Sequence, residues 1–88
     1  MYIHLGQETV IKSRDIIGIF DLENTTVSKN TRIFLSKAEK RGEVINVSYE
    51  LPKSFTLTSD KKTKINKVYI SQISSATLYK RSGFIDTL

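Results

Sequence analysis

The sequence predicts a small α+β domain of mainly antiparallel sheet, and three observations carry that prediction. About six short segments are rich in β-branched and aromatic residues, and most alternate with polar ones as half-buried strands do. Turn residues separate most of them at intervals too short for a helical crossover. Only two segments have the composition and capping residues of helices: a main helix at about residues 30–41 and a short C-terminal one at about 75–81. The chain of 88 residues forms a single domain, 1–88, with a core small enough that oligomerisation is an easy source of extra buried area.

The elements follow in order. Residues 2–5 (YIHL) are a short β-type run, and Gly6-Gln7-Glu8 supplies a turn. Val10 and Ile11 begin a second strand. Residues 15–22 (DIIGIFDL) are the most apolar stretch and about one strand long. Their near-continuous hydrophobicity predicts burial on both faces, and Gly18 marks a bulge or a close backbone approach. The polar residues 23–30 form a loop from which Ser28 or Asn30 caps the next helix. Residues 30–41 (NTRIFLSKAEKR) offer Ile33, Phe34, Leu35 and Ala38 for an apolar face, with Lys37, Lys40 and Arg41 at the negative end of the helix dipole and Gly42 as its stop. Residues 44–49 (VINVSY) alternate as a strand that Glu50-Leu51-Pro52 ends. Residues 54–58 (SFTLT) point Phe55 and Leu57 inward. Residues 59–64 (SDKKTK) make a polar hairpin tip, after which residues 65–70 place Val68 and Ile70 on one side and Lys67 and Tyr69 on the other. Ser74 or Ser75 caps the last helix, and residues 82–88 fray.

Charge is segregated along this chain. Residues 1–50 hold seven cations and seven acids, whereas residues 51–81 hold seven cations against one acid, and the whole carries a formal +5. The cationic stretch also alternates like strands, which predicts a half-buried sheet whose exposed face is positive and suits a polyanion, most simply nucleic acid. With no cysteine, disulfides and thiolate zinc sites are unavailable, and a reducing compartment is favoured. The opening MYIHLGQE is short and soon polar, unlike a secretory signal, and no apolar run approaches the roughly 20 residues of a membrane helix. A cytoplasmic protein is expected.

Catalytic chemistry finds little support. The single histidine, His4, lies in the first strand, and the glycines are too scattered for a phosphate loop. Asp15, Asp21 and Glu23 share strand parity, but acids at strand ends are ordinarily just solvated. No cofactor, metal or small-molecule substrate is expected. The cations hold more. Lys61, Lys62 and Lys64 on the hairpin tip read either as edge blockers or as phosphate contacts, and Lys67 extends their field. Lys12 and Arg14 precede the apolar strand, where Arg14 suits bidentate contact with phosphate or an ion pair with Asp15 or another acid. Lys53 follows Pro52, which stiffens its backbone. Arg32 falls in the first turn of the main helix, where a cation opposes the dipole. Tyr69 and Tyr79 interleave with cations, open to base stacking or to core packing.

These pieces, MYIHLG, SRDIIGIFDLE, TRIFLSKAEKRGEVINVS, ELPKSFTLT and VYISQISSATLYKR, in this order and spacing, closely resemble the RemA/RemB family of small bacterial extracellular-matrix regulators, nearer its RemB branch. The resemblance covers almost the whole chain. It implies a DNA-binding transcriptional regulator of biofilm-matrix genes that assembles into a closed homo-oligomeric ring and binds double-stranded DNA along a basic outer surface. The RemA-type arginine before the apolar strand corresponds to Arg14 within SRDIIGI. The RemA branch also carries an arginine-rich turn after its fourth strand, where this chain has ELPKS and Lys53 is the one cation; that departure weighs against an identical DNA contact. The expectation is therefore a non-enzymatic, ring-forming DNA-binding regulator that contacts phosphates through Arg14, Lys53 and Arg32, with Lys12, Lys61, Lys62, Lys64 and Lys67 extending the field. The alternative is a structural or protein-interaction oligomer that binds no nucleic acid.

Overall fold

The structure is a computed structural model that describes residues 1–23 and 28–82. Strands β1 (Tyr2–Gly6) and β2 (Thr9–Lys12) form an antiparallel hairpin, turned by Gly6 at φ 119° and Gln7 at φ 49°. A 3-10 turn, Ser13–Asp15, leads into β3 (Ile16–Asp21). Helix α1 (Lys29–Lys40) follows, then β4 (Val44–Asn46), β5 (Ser54–Ser59), β6 (Asn66–Ser71) and α2 (Ser75–Ser82). The second sheet has the order β3-β5-β6-β4 and is antiparallel except at β4–β6. That parallel pair arises because the chain leaving β4 crosses the end of β6 to reach β5. Its crossing, residues 47–53, is held by Val47 N–H to Ile70 O (2.9 Å) and Lys53 N–H to Ser71 O (2.9 Å).

The α+β class and the element order agree with the sequence reading, and so does the main helix. Ser28 caps α1 by accepting from Thr31 N–H at 3.1 Å. At the other end Gly42, at φ 73°, closes a Schellman motif through Gly42 N–H to Glu39 O and Glu43 N–H to Ala38 O, both 3.0 Å. Ser74 caps α2 through Thr77 N–H at 3.3 Å. The fourth strand is shorter than its alternating pattern, ending at Asn46. Ser82 is not frayed: it is buried and donates to Tyr79 O at 2.7 Å. The rest of the predicted frayed end, residues 83–88, lies outside the described residues.

The larger sheet is covered on both faces, which corrects the prediction of one exposed cationic face. Helix α1 packs on one face over Phe55, Val68, Leu57 and Ile70. The β1–β2 hairpin and α2 cover the other, where Ile3, Leu5, Ile11, Ile19 and Leu78 form the core. Phe55 and Leu57 do point inward, but Ser54, Thr56 and Thr58, the alternate residues of β5, are buried as well. Most of these hydroxyls find partners. Ser54 donates to Ile73 O at 2.7 Å, and Ser71 on β6 donates to Leu5 O at 2.7 Å. Two further hydrogen bonds tie α2 into this layer: Tyr79 Oη to Ile19 O (3.0 Å) and an Arg81 guanidinium N–H to His4 O (2.8 Å).

The apolar segment around Gly18 also departs from its reading. It forms an edge strand that pairs with β5 alone, and Ile19 is its one buried residue, so it is not buried on both faces. A register shift between Ile16 and Gly18 turns Ile17 outward, 61 % exposed. Gly18 itself serves close approach. A Cβ there would lie 2.7 Å from Cζ of Phe20, whose ring folds back and stacks on Phe55 with centroids 4.8 Å apart.

Among the described residues Thr56 Oγ1 is the buried side-chain oxygen that has no hydrogen-bond partner. Thr56→Val keeps the shape and removes the stranded hydroxyl, so it is expected to raise stability by about 1 kcal/mol. Urea unfolding of the two proteins checks this; a loss of stability would show that the hydroxyl is satisfied in solution.

Candidate nucleic-acid interface

Two distant chain segments meet at one end of the larger sheet. The β2 end and the 3-10 turn bring Lys12 and Arg14; the β5–β6 connection brings Lys61 and Lys62. With Asp15 and Asp60 these residues line a cleft of about 250 Å³. The four cations are all exposed, and among the described residues the ion pair formed is Arg41–Glu43 (3.1 Å), elsewhere on the surface. The expected alternative for Arg14, an ion pair with Asp15 or another acid, is not formed among the described residues. Its guanidinium is therefore available to an external anion.

The β5–β6 connection is built to hold its lysines. Asp60 Oδ1 accepts from Lys62 N–H (2.8 Å) and Thr63 N–H (2.9 Å), as an N-cap does. Lys64 N–H to Asp60 O (2.8 Å) completes one helical turn, and Asp60 N–H to Ile65 O (3.0 Å) closes the loop. Lys64 sits in the left-handed region at φ 63°. The backbone N–H groups of Thr63 and Lys62 hold the Asp60 carboxyl below its ordinary value of 3.8, with the charge of Lys12 adding to the effect. Asp60 thus organises the turn that presents the lysines.

The structure separates the remaining predicted cations from this cluster. Lys67 lies on β6 beside a neighbouring hollow with Asp15 and Tyr69. Lys64 is exposed on the same turn but does not line this cleft. Lys53 precedes β5 at the opposite end of the sheet, beside Leu22, whose N–H donates to Lys53 O at 2.8 Å. Five residues of extended chain part it from Thr58, the partner of Ile16, which is roughly 17 Å. Arg32 is exposed on α1, in the layer on the other side of the sheet. One protomer therefore presents a compact patch of Lys12, Arg14, Lys61 and Lys62, with Lys53 and Arg32 outside it.

Aromatic roles are redistributed too. Tyr69 and Tyr79 pack against the core, and burial, then the charge of Asp15, pushes the Tyr69 hydroxyl pKa up. The aromatic ring beside the cations is Tyr2, 67 % exposed and paired across the hairpin with Lys12. It lines a second hollow with Lys12 and Arg14. Nothing near position 2 in the sequence signals this, because the contact depends on hairpin register. Asp15 and Asp21 fall at opposite ends of β3, and no group of three or more metal-ligating side chains occurs among the described residues. His4 is an exposed strand residue whose Nε2 meets Gln7 O at 2.5 Å. No helix is long and apolar enough to cross a membrane.

The fold is a small α+β unit whose larger sheet is covered on both faces and whose one end is basic, a class of small domain with a charged surface. Residues 2–81 match the family model described as RemA-like, extracellular matrix regulatory protein A-like, and the chain belongs to that family. It is 38 % identical over 85 residues to extracellular matrix regulatory protein B of Bacillus subtilis (strain 168), spanning 97 % of this chain and 94 % of that protein. The resemblance to the RemB branch is borne out.

The Asp60 turn gives two expected outcomes. The stabilisation carried by its lowered pKa is fully present above pH 3.8 and fades as pH falls through the folded value; an NMR titration should show this carboxyl protonating below the ordinary aspartate value of 3.8. Lys64→Gly should raise stability by about 1 kcal/mol, because glycine adopts the left-handed conformation without steric cost, as thermal unfolding would show.

Proposed function

We propose that this extracellular-matrix regulatory protein is a non-enzymatic, cytoplasmic DNA-binding transcriptional regulator that works as a ring-shaped homo-oligomer. The observation that carries the reading is the convergence of Lys12, Arg14, Lys61 and Lys62 on one end of the sheet, exposed and, among the described residues, free of ion pairs. Such a set neutralises phosphates and fixes the protein on a duplex without reading bases. Arg14 supplies the forked contact, and the lysines act as point charges around it. Tyr2 offers a flat surface beside them. Lys64 and Lys67 extend the field, and Lys53 and Arg32 reach DNA only from other parts of the molecule.

One such patch is weak. Repeating it around a ring multiplies it, since each later contact forms at a high effective concentration. Sequence preference in this arrangement comes from how readily DNA bends along the ring. A second reading, an assembly that engages another protein and no nucleic acid, draws on Tyr49 and Leu51, whose exposure is unusual for apolar residues.

Fluorescence anisotropy of a 60-base-pair duplex over a range of salt separates the two. The expected result is affinity whose logarithm falls linearly with the logarithm of salt concentration. Arg14→Ala should weaken binding on unrelated sequences alike and reduce that slope by about 1 for each protomer in contact with the duplex, with no change in oligomer mass. Absence of binding at low salt would sink the DNA reading.

A further inference from the structure

We infer that the basic end of the sheet is also a site for a free nucleoside triphosphate, with the phosphates among Lys12, Arg14, Lys61 and Lys62 and the base on Tyr2. The inference goes beyond the DNA reading and does not depend on it. A small molecule bound there competes with a duplex for the same cations.

Two hollows meet at this end. The cation cleft of about 250 Å³ and the hollow of about 160 Å³ lined by Met1, Tyr2, Lys12 and Arg14 share Lys12 and Arg14 as a common wall. Joined, they reach the roughly 300–1,000 Å³ of small-molecule sites. One compartment is cationic and the other carries an aromatic ring, the same division that a nucleotide makes between phosphates and base. Arg14 grips a phosphate through its planar fork, and the lysines neutralise the rest as point charges.

The walls of both compartments are held before any ligand arrives. Tyr2 and Lys12 are directly opposite across the β1–β2 hairpin, which sets their side chains next to each other on one face of it. Ser13 N–H and Ser13 Oγ both donate to Met1 O, at 3.0 and 3.1 Å. They pin the start of β1 to the turn that carries Arg14. On the other side, Asp60 gathers the N–H groups of Lys62 and Thr63 and so fixes the turn of Lys61 and Lys62. A preorganised site loses less freedom on binding.

Two of these groups have no counterpart in a duplex. Paired bases show their edges in the grooves, so Tyr2, 67 % exposed, has no base face to stack on. A free nucleotide offers that face. Asp15 repels a phosphate backbone, yet it lines the cleft beside the cations. It is half-buried and forms no ion pair among the described residues. A carboxylate in that position accepts from ribose hydroxyls, as acidic residues do in dinucleotide folds, and DNA lacks the 2′-hydroxyl.

Calorimetric titration of the full chain with ATP and with inorganic tripolyphosphate, at low salt and without divalent cations, tests the site. Both are expected to bind. Tyr2→Ala should weaken ATP about 10-fold, the loss of one stacked base, and leave tripolyphosphate unchanged. Lys61→Ala combined with Lys62→Ala should weaken both ligands about 10-fold. All three positions are exposed, so the circular dichroism spectra of the variants should match the unaltered protein. If Tyr2→Ala weakens ATP no more than tripolyphosphate, the end of the sheet is a bare anion patch. The nucleotide site is then wrong and the DNA reading stands. Absence of ATP binding sinks the site as well. A protein that binds ATP in the Tyr2-dependent way but no duplex would support the nucleotide site and overturn the DNA reading alone.

Discussion

Strand β5 is the constraint on which the rest of the molecule depends. It is paired on both edges, to β3 and β6, and covered on both faces. One face carries Phe55 and Leu57 against α1, and the other carries Ser54, Thr56 and Thr58 beneath the hairpin and α2. The aromatic face gains stability from area removed from water and from the ring stack. The hydroxyl face must instead spend hydrogen bonds on backbone carbonyls such as Ile73 O. The second layer is therefore joined through directed bonds, Ser71 to Leu5 O and Arg81 to His4 O among them, as well as by apolar contact. Such bonds fix register more than they add stability.

Full coverage of the sheet decides where charge can go. With both faces occupied, the cations of residues 51–81 are confined to strand ends, turns and exposed helix surface. The charged groups then divide by use. Asp60 is committed to its turn, Arg81 to the hairpin and Arg41 to Glu43. Lys12, Arg14, Lys61 and Lys62 have no such side-chain commitment among the described residues. An electrostatic site in this fold is the set of charges left over once the turns and layers have been secured, and its position follows from where those turns meet.

Small size bears on the apolar surface in the same way. A domain of this length leaves much of its apolar area uncovered, and here that area is spread over the hairpin (Tyr2, Val10), the open edge of β3 (Ile17, Phe20), Ile33 on α1 and the 47–53 loop (Tyr49, Leu51). The RemA-like family membership and the relation to extracellular matrix regulatory protein B place the chain among regulatory proteins. The physical features that distinguish this protomer are a basic end, an apolar edge strand and an exposed apolar loop.

Local signals were enough for everything that depends on a few neighbouring residues. Ser28 or Asn30, Gly42, and Ser74 or Ser75 marked helix ends because caps act within one turn, with Ser28 and Ser74 the caps formed, and alternation placed Phe55, Leu57, Val68 and Ile70 on one side of their strands because side-chain direction has period two. The stretch around Ile17 misled because a buried strand and an apolar edge strand have the same composition, and only sheet order tells them apart. Ser54 and Thr58 misled because a hydroxyl that finds a backbone acceptor is buried at little cost, and that acceptor is distant in sequence. The sequence by itself determined the element order, the capping, the charge and the family. Tertiary structure alone decided that both sheet faces are covered, that Lys12 and Arg14 meet Lys61 and Lys62 beside Tyr2, and that Lys53 and Arg32 stand apart, because those outcomes depend on strand order and register, which bring together residues some fifty positions apart.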